Sequence, residues 1–130
     1  MTRILLVEDD PDVRPLLEHI LISSGFSVTA VESVSGAISL ISSQPYDLVV
    51  TDVNLPDGSG LGVADRASEA GVKSLVVTGH GLSLAPGSLA AYDYLLKPLR
   101  VDELLTAIRR CLARTETTSV SRIVRFPTSE

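Results

Sequence analysis

Residues 47–61 read DLVVTDVNLPDGSGL, and this stretch decides the fold. Its apolar run Leu48–Val50 leads to Asp52, and a segment rich in proline and glycine follows. A short apolar run that stops at turn residues is typical of a buried strand. The stretch therefore predicts a strand over Asp47–Thr51 whose carboxyl end presents Asp52, followed by an irregular loop over Asn54–Gly60.

Strand and helix signals alternate on both sides of this stretch. Four more strands are predicted over Arg3–Val7, Ser27–Val31, Val72–Thr78 and Ala91–Leu96. Apolar residues at helical spacing predict four helices, which include Val13–Leu21, Val34–Ile41, Leu61–Ala70 and Val101–Leu112. Asp10 and Pro11 are expected to begin the first helix, as a capping acid followed by proline. This alternation indicates an α/β fold, with a doubly wound five-stranded parallel sheet and helices on both faces.

Composition and charge fit one folded domain. The chain has 130 residues, of which 45% are hydrophobic and 21% charged. Residues 1–108 hold 6 basic and 14 acidic side chains, whereas residues 109–130 hold 5 basic and 2 acidic ones. The acidic body argues against direct nucleic-acid binding, and the apolar runs are too short for a membrane span. No signal-peptide pattern is present, so a cytoplasmic location is expected.

Three parts of the chain carry further predictions. Cys111 is the single cysteine, so an intrachain disulfide is excluded, and a buried structural thiol is expected. Gly79–Ala91 reads GHGLSLAPGSLAA, and its internal proline predicts a short helical piece starting at Pro86 or an irregular loop. The domain is predicted to span residues 1–114, with a C-terminal tail or linker over residues 115–130.

Polar side chains collect at the ends of the predicted strands. They are Glu8, Asp9 and Asp10 after the first strand, Asp52 after the third, Thr78 ending the fourth and Lys97 after the fifth. Ligands of a doubly wound sheet bind at the carboxyl ends of its strands, so these side chains are expected to meet at one edge. Asp10 is interpreted as a helix cap rather than a metal ligand, and Asp12 and Asp57 as solvated residues.

A carboxylate cluster of this kind calls for a cation, because like charges in close contact repel strongly. Mg²⁺ prefers oxygen ligands and commonly binds through one or two carboxylates together with a phosphate oxygen. Lys97 adds a second positive charge, and the Thr78 hydroxyl and the Gly79 backbone N–H can donate hydrogen bonds. Together these groups suit phosphoryl transfer to the carboxylate of Asp52.

Four motifs in this order carry a resemblance to a known family. They are LLVEDDPDVR at 5–14, DLVVTDVNLPDGSGL at 47–61, VVTGH at 76–80 and YDYLLKP at 92–98. From Thr2 to about Ala113 the chain resembles the receiver domains of two-component response regulators. The resemblance implies a flavodoxin-like three-layer sandwich with strand order 2-1-3-4-5.

The resemblance also implies which of the matching residues bind the cation. It implies that Asp52 is the phosphoacceptor and also a ligand of Mg²⁺. It implies that Asp9 ligates the ion directly, that Glu8 acts through a metal-bound water, and that Asn54 contributes its backbone carbonyl.

The other implied roles concern the phosphoryl group and the switch. Thr78 contacts the phosphoryl group and moves when it arrives, Lys97 pairs with its oxygens, and Tyr94 is the aromatic switch. His80 and Asn54 occupy two variable positions that tune the phosphoryl lifetime, and Pro98 stands where the family favours a cis bond. The step of 19 positions from Thr78 to Lys97 is shorter than is usual in the family, and the missing part maps onto the fourth helix.

Three functions are weighed on these residues. The leading one is a signalling module, not an enzyme: a sensor histidine kinase or a histidine phosphotransfer protein donates a phosphoryl group to Asp52. The modified domain then changes its binding to a downstream protein. The second is a receiver-like binding module that works without phosphorylation. The presence of Asp9, Asp52, Thr78 and Lys97 argues against it. The third is a hydrolase with an aspartyl-phosphate intermediate, which would need an acid where Asn54 stands.

Overall fold

A computed structural model describes residues 1–79, 92–97 and 100–113 of the chain. The strands are β1 (Arg3–Val7), β2 (Ser27–Val31), β3 (Leu48–Asp52), β4 (Asn54–Leu55), β5 (Gly58–Ser59), β6 (Lys73–Thr78) and β7 (Tyr94–Leu96). The helices in these ranges are α1 (Val13–Ser23), α2 (Val34–Ser43), α3 (Gly60–Glu69) and α4 (Val101–Ala113). The predictions for His80, for the segment that reaches Ala91, for Pro98 and for the tail lie outside the described residues.

The main sheet has five strands in the order β2-β1-β3-β6-β7, and every neighbouring pair is parallel. With the short strands β4 and β5 set aside, this is the predicted order 2-1-3-4-5. The predicted doubly wound, flavodoxin-like α/β fold is therefore confirmed.

Apolar side chains cover both faces of the sheet, because alternate residues of a strand point to opposite sides. Ile4 and Leu6 of β1 belong to a cluster with residues of α1 and α4. Leu5 and Val7 of the same strand belong to a second cluster, with residues of α2 and α3. Cys111 is completely buried in the first cluster, which confirms the structural thiol.

The first helix begins later than predicted. Pro11 lies in a turn, and α1 starts at Val13. The reason is a local hydrogen-bond pattern, since Asp10 Oδ1 accepts the N–H of Asp12 at 2.8 Å and that of Val13 at 3.2 Å. Asp10 therefore accepts these N–H groups from a turn ahead of the helix, whereas the N-cap position is Asp12, whose side chain makes no capping hydrogen bond.

The segment after Asp52 is more regular than predicted. Asn54 pairs with Ser59 and Leu55 with Gly58, so the expected irregular loop contains a small antiparallel ribbon. The two strands are β4 and β5, and α3 begins directly after them. Within the described part of the chain, every helix is too short or too polar to cross a membrane.

Candidate functional site

The five parallel strands end at one edge of the sheet, and the ends of β1, β3, β6 and β7 carry the candidate site. The register pairs Val7 of β1 with Thr51 of β3, and Thr51 with Val76 of β6. Thr78 at the end of β6 pairs with Leu96 of β7. The residues that follow these pairs therefore leave the sheet side by side, as the sequence predicted.

An acidic cluster forms where β1 and β3 end. Carboxylate oxygens of Glu8, Asp9 and Asp52 all lie within 4.8 Å of one another. Glu8 is only 3% exposed and Asp52 8% exposed, while Asp9 faces solvent. The three predicted carboxylates are thus brought together, and Asp10 is engaged in the turn ahead of α1.

Lys97 reaches into this cluster from the end of β7. Its Nζ donates a hydrogen bond of 3.1 Å to Asp52 Oδ2 and lies 3.7 Å from Glu8 Oε1. The Lys97 backbone N–H donates to the Thr78 carbonyl over 2.9 Å. Its aliphatic chain passes Gly79, where an added Cβ would lie 3.4 Å from Lys97 Cδ. The strand end therefore aims the ammonium group at the phosphoacceptor candidate.

The electrostatics of the cluster follow from burial and charge. Burial raises the pKa of Glu8, and the carboxylates of Asp52 and Asp9 add to that rise, against the Asp10 amide and Lys97, which lower it. For Lys97, burial favours a lower pKa, but the hydrogen bond and charge of Asp52, together with Glu8, outweigh it and raise the pKa. The ammonium therefore stays charged beside the carboxylates.

The donors of this cluster fit a hard divalent cation. Ionised Glu8, Asp9 and Asp52 carry three negative charges, and the ammonium of Lys97 balances one of them. All the donor atoms are oxygens close enough together to bind one ion, which is the chemistry that Mg²⁺ prefers. Asn54 is exposed and lies at the start of β4, two residues beyond Asp52.

The two switch candidates lie close to the same edge. Thr78 is 1% exposed at the end of β6. Tyr94 is half-buried and packs with Tyr92 against the small cluster of Val53, Ala64 and Val76. Tyr94 thus packs against a cluster that contains Val53, the residue that follows Asp52.

Arg14 is a site residue that the sequence reasoning missed. Its guanidinium donates to the backbone carbonyl of Glu8 at 3.1 Å and to that of Asp9 at 3.4 Å, and it forms an ion pair with Glu32 at 3.7 Å. The backbone of the acidic pair is therefore held from α1. The sequence did offer a signal for this contact, because Arg14 is a cation that closely follows the acidic end of the first strand.

Two residues of the loop after Asp52 were also missed. An added Cβ on Gly60 would overlap the carbonyl oxygen of Asp52, so only glycine fits there. Asp57 was predicted to be solvated; it is exposed, but its carboxylate accepts the N–H groups of Val34 and Ser35. A glycine in a turn-rich loop could have indicated the close approach at Gly60, whereas no sequence pattern indicated the contact of Asp57 with α2.

The comparisons with known proteins agree with this geometry. The family model of the response regulator receiver domain matches residues 4–109. The response regulator receiver protein CpdR of Brucella abortus is 34% identical over 117 residues, covering 86% of this chain and 98% of that protein. Response regulator TrrA of Thermotoga maritima, solved in complex with Mg²⁺-BeF, aligns with a TM-score of 0.77 and 32% identity, covering 86% of this chain and 100% of TrrA.

Two more similarities bear on partners. A structure of histidine kinase ThkA in complex with TrrA aligns with a TM-score of 0.75 and 32% identity, covering 87% of this chain and 100% of the matched one. The transcriptional regulatory protein DltR of Streptococcus agalactiae is 34% identical over 112 residues, covering 82% of this chain. This chain spans only 50% of DltR, so DltR contains further sequence beyond the shared part.

Proposed function

The chain belongs to the response regulator receiver domain family, and we propose that it accepts a phosphoryl group on Asp52 in a Mg²⁺-dependent reaction. One observation carries the proposal. Lys97 Nζ lies 3.1 Å from Asp52 Oδ2, within a cluster of three carboxylates. This edge of the sheet holds a carboxylate paired with an ammonium, an excess of negative charge and the buried Thr78. These features suit phosphoryl transfer to an aspartate.

The proposed step is a displacement at phosphorus. A carboxylate oxygen of Asp52 attacks the phosphorus of a phosphohistidine, a P–O bond forms, and the P–N bond breaks with its electron pair going to the imidazole nitrogen. Asp9, Asp52, the Asn54 carbonyl and, through water, Glu8 would hold Mg²⁺, which would neutralise the charge of the phosphoryl oxygens. In this way the domain would assist its own phosphorylation. Dephosphorylation would be attack by water on the same phosphorus, which breaks the P–O bond to Asp52 and releases inorganic phosphate.

Lys97 and Thr78 would stabilise the transferred group. The Lys97 ammonium, now bonded to Asp52 Oδ2, would turn to a phosphoryl oxygen with little movement, since its backbone is tied to Thr78. The Thr78 hydroxyl would donate a second hydrogen bond, which draws the end of β6 towards Asp52. Tyr94, which packs on the neighbouring cluster, would follow and alter the surface offered to a downstream protein.

The proposed phosphodonor is a sensor histidine kinase or a histidine phosphotransfer protein, acting in the cytoplasm. The complex of TrrA with the kinase ThkA supports this class of partner. The proposed target is a protein rather than nucleic acid, because the net charge is −5 and a phosphate backbone would be repelled. We place the receiver domain at residues 1–114 and a tail or linker at residues 115–130.

Intact-mass spectrometry tests this proposal directly. The protein is incubated with Mg²⁺ and acetyl phosphate, and a stoichiometric phosphate adduct is expected. Asp52→Asn should abolish the adduct, because the nucleophile is lost, while Asp12→Asn, a loss of the same charge at an exposed position, should keep it. An unmodified wild type would favour a phosphorylation-independent binding module, and rapid multiple turnover of a phosphoester would favour a hydrolase.

A further inference from the structure

A polar contact ties the loop after Asp52 to a different part of the domain. Asp57 lies at the turn between β4 and β5, and each of its carboxylate oxygens accepts one backbone N–H from the start of α2. Val34 donates to Oδ1 over 2.8 Å, and Ser35 donates to Oδ2 over 3.0 Å. The two amides lie 23 and 22 positions before Asp57, so the contact joins two separate segments.

The start of α2 is well suited to this carboxylate. The first N–H groups of a helix lack acceptors within the helix, and the helix dipole favours negative charge there. The first turn of α2 reads VSGA and contains no acid of its own. Ser33 Oγ accepts the N–H of Gly36 at 3.1 Å, and Asp57 takes the two N–H groups before it. These donors also lower the pKa of Asp57, which keeps it ionised.

Two other contacts hold the same loop. Leu55 is buried in the same cluster as Ala37 of α2. At the other end, the Gly60 N–H donates to the Val53 carbonyl over 2.7 Å. Asn54 adjoins Leu55 and pairs with Ser59 of β5, and Asp57 lies at the exposed tip. Asp57 is therefore the polar anchor of the outer side of the loop, as Leu55 is its apolar anchor.

We propose that Asp57 is a positioning residue for the phosphorylation site, which clamps the loop to α2 and so holds the Asn54 backbone beside Asp52. The inference rests on the proposed function, because it takes Asp52 and the Asn54 carbonyl as members of one cation site. Loss of the clamp lets the ribbon move and weakens cation binding, while Lys97 and the three carboxylates stay in place.

A cap that only stabilised α2 would have a different signature. Ser33 offers the matched control, because Ser33→Ala removes the acceptor of the Gly36 N–H at the same helix end and leaves the Asp57 carboxylate with both of its backbone donors. Both variants are expected to loosen the first turn of α2. Only the loss of Asp57 is expected to loosen residues 54–60 and to change the affinity for Mg²⁺.

The test measures the Mg²⁺ dissociation constant of the full chain by isothermal titration calorimetry, and amide exchange of residues 54–60 without Mg²⁺. Asp57→Ala should weaken Mg²⁺ binding about tenfold, as for other residues that support metal ligands, and should speed exchange in the loop. Asp57→Asn keeps one acceptor oxygen and should fall between the wild type and Asp57→Ala, and it carries the test if Asp57→Ala does not fold. Ser33→Ala should leave both quantities close to those of the wild type.

The outcomes separate this inference from the function on which it rests. A wild type that binds Mg²⁺ and forms the phosphate adduct, with an Asp57→Ala variant of equal affinity and loop exchange, overturns the positioning role alone. An equal loss of affinity in Ser33→Ala also overturns it, since the cause would then be the stability of α2. A wild type that takes up no phosphoryl group overturns both proposals.

Discussion

Lys97 Nζ donates a hydrogen bond of 3.1 Å to Asp52 Oδ2, although the two residues are 45 positions apart in the sequence. The same ammonium lies 3.7 Å from Glu8, which is almost completely buried. Lys97 is thus the cation that the described structure places among three carboxylates. Its loss would leave their mutual repulsion to be offset by solvent or by a bound metal ion.

Replacement of Lys97 should therefore destabilise the domain in a metal-dependent way. Lys97→Met is expected to lower the free energy of unfolding by about 1–2 kcal/mol in EDTA, as for a charged hydrogen bond at a part-exposed site. Mg²⁺ should recover most of this loss, because it neutralises the same carboxylates. Thermal unfolding with and without Mg²⁺ measures the difference. Arg109→Met, at an exposed position of α4, serves as the control; an equal loss for Lys97→Met in both conditions would contradict the prediction.

Two glycines of α3 should respond in opposite directions to alanine. Gly60→Ala pushes a methyl group into the Asp52 carbonyl oxygen and is expected to cost about 2–3 kcal/mol of unfolding free energy by overpacking. Gly62 has nothing within 4 Å of an added Cβ, and Gly62→Ala should stabilise the helix by about 0.5–1 kcal/mol. Urea unfolding of the wild type and both variants measures these changes in the free energy of unfolding. A Gly60→Ala variant as stable as the wild type would mean that the backbone at Asp52 yields easily.

Tyr92 should ionise late in an alkaline titration. Burial, together with the 2.7 Å hydrogen bond to Asp65 Oδ1, raises the pKa of Tyr92 from 10.0 to about 12. The raised pKa favours the neutral form in the folded state, so its stabilising effect is complete below pH 10 and is lost as the pH rises through about 12. The absorbance of tyrosinate at 295 nm follows this step.

Variants identify the source of that late step. Tyr92→Phe should remove it, and Asp65→Asn should move it to lower pH because the carboxylate charge no longer opposes ionisation. The chain has three tyrosines, so the loss of one is easily seen in the amplitude. An unchanged titration in Asp65→Asn would show that burial alone sets the pKa.

Cys111 should react with thiol reagents only when the domain unfolds. Its side chain is fully buried, and burial raises its pKa to about 12, against a smaller opposing effect of Lys73. The thiolate is the reactive form, so the folded protein should be inert at pH 8. Labelling with a chromogenic disulfide in increasing urea should follow the unfolding transition measured by circular dichroism. Rapid labelling in buffer would contradict the burial of α4 against the sheet.

Most of the site was predictable because its residues stand at strand ends. Val49 and Val50 mark a buried strand, and the turn that follows fixes where Asp52 emerges. The same holds for Glu8 after β1 and Lys97 after β7. The errors concern local hydrogen bonds: the first helix was started at Pro11, because Asp10 was expected to cap it directly, and the ribbon of β4 and β5 was taken as irregular.

What the sequence alone determined is the set of elements and the chemistry at their ends, since apolar periodicity and turn residues act over a few positions of the chain. The tertiary structure decided which side chains touch. Three hydrogen bonds each join two parts of the chain. They link the start of α2 to Asp57, Arg14 to the Glu8 carbonyl, and Tyr92 to Asp65. Such contacts depend on how the helices pack against the sheet. This packing is set jointly by many core side chains, and no local sequence pattern encodes it.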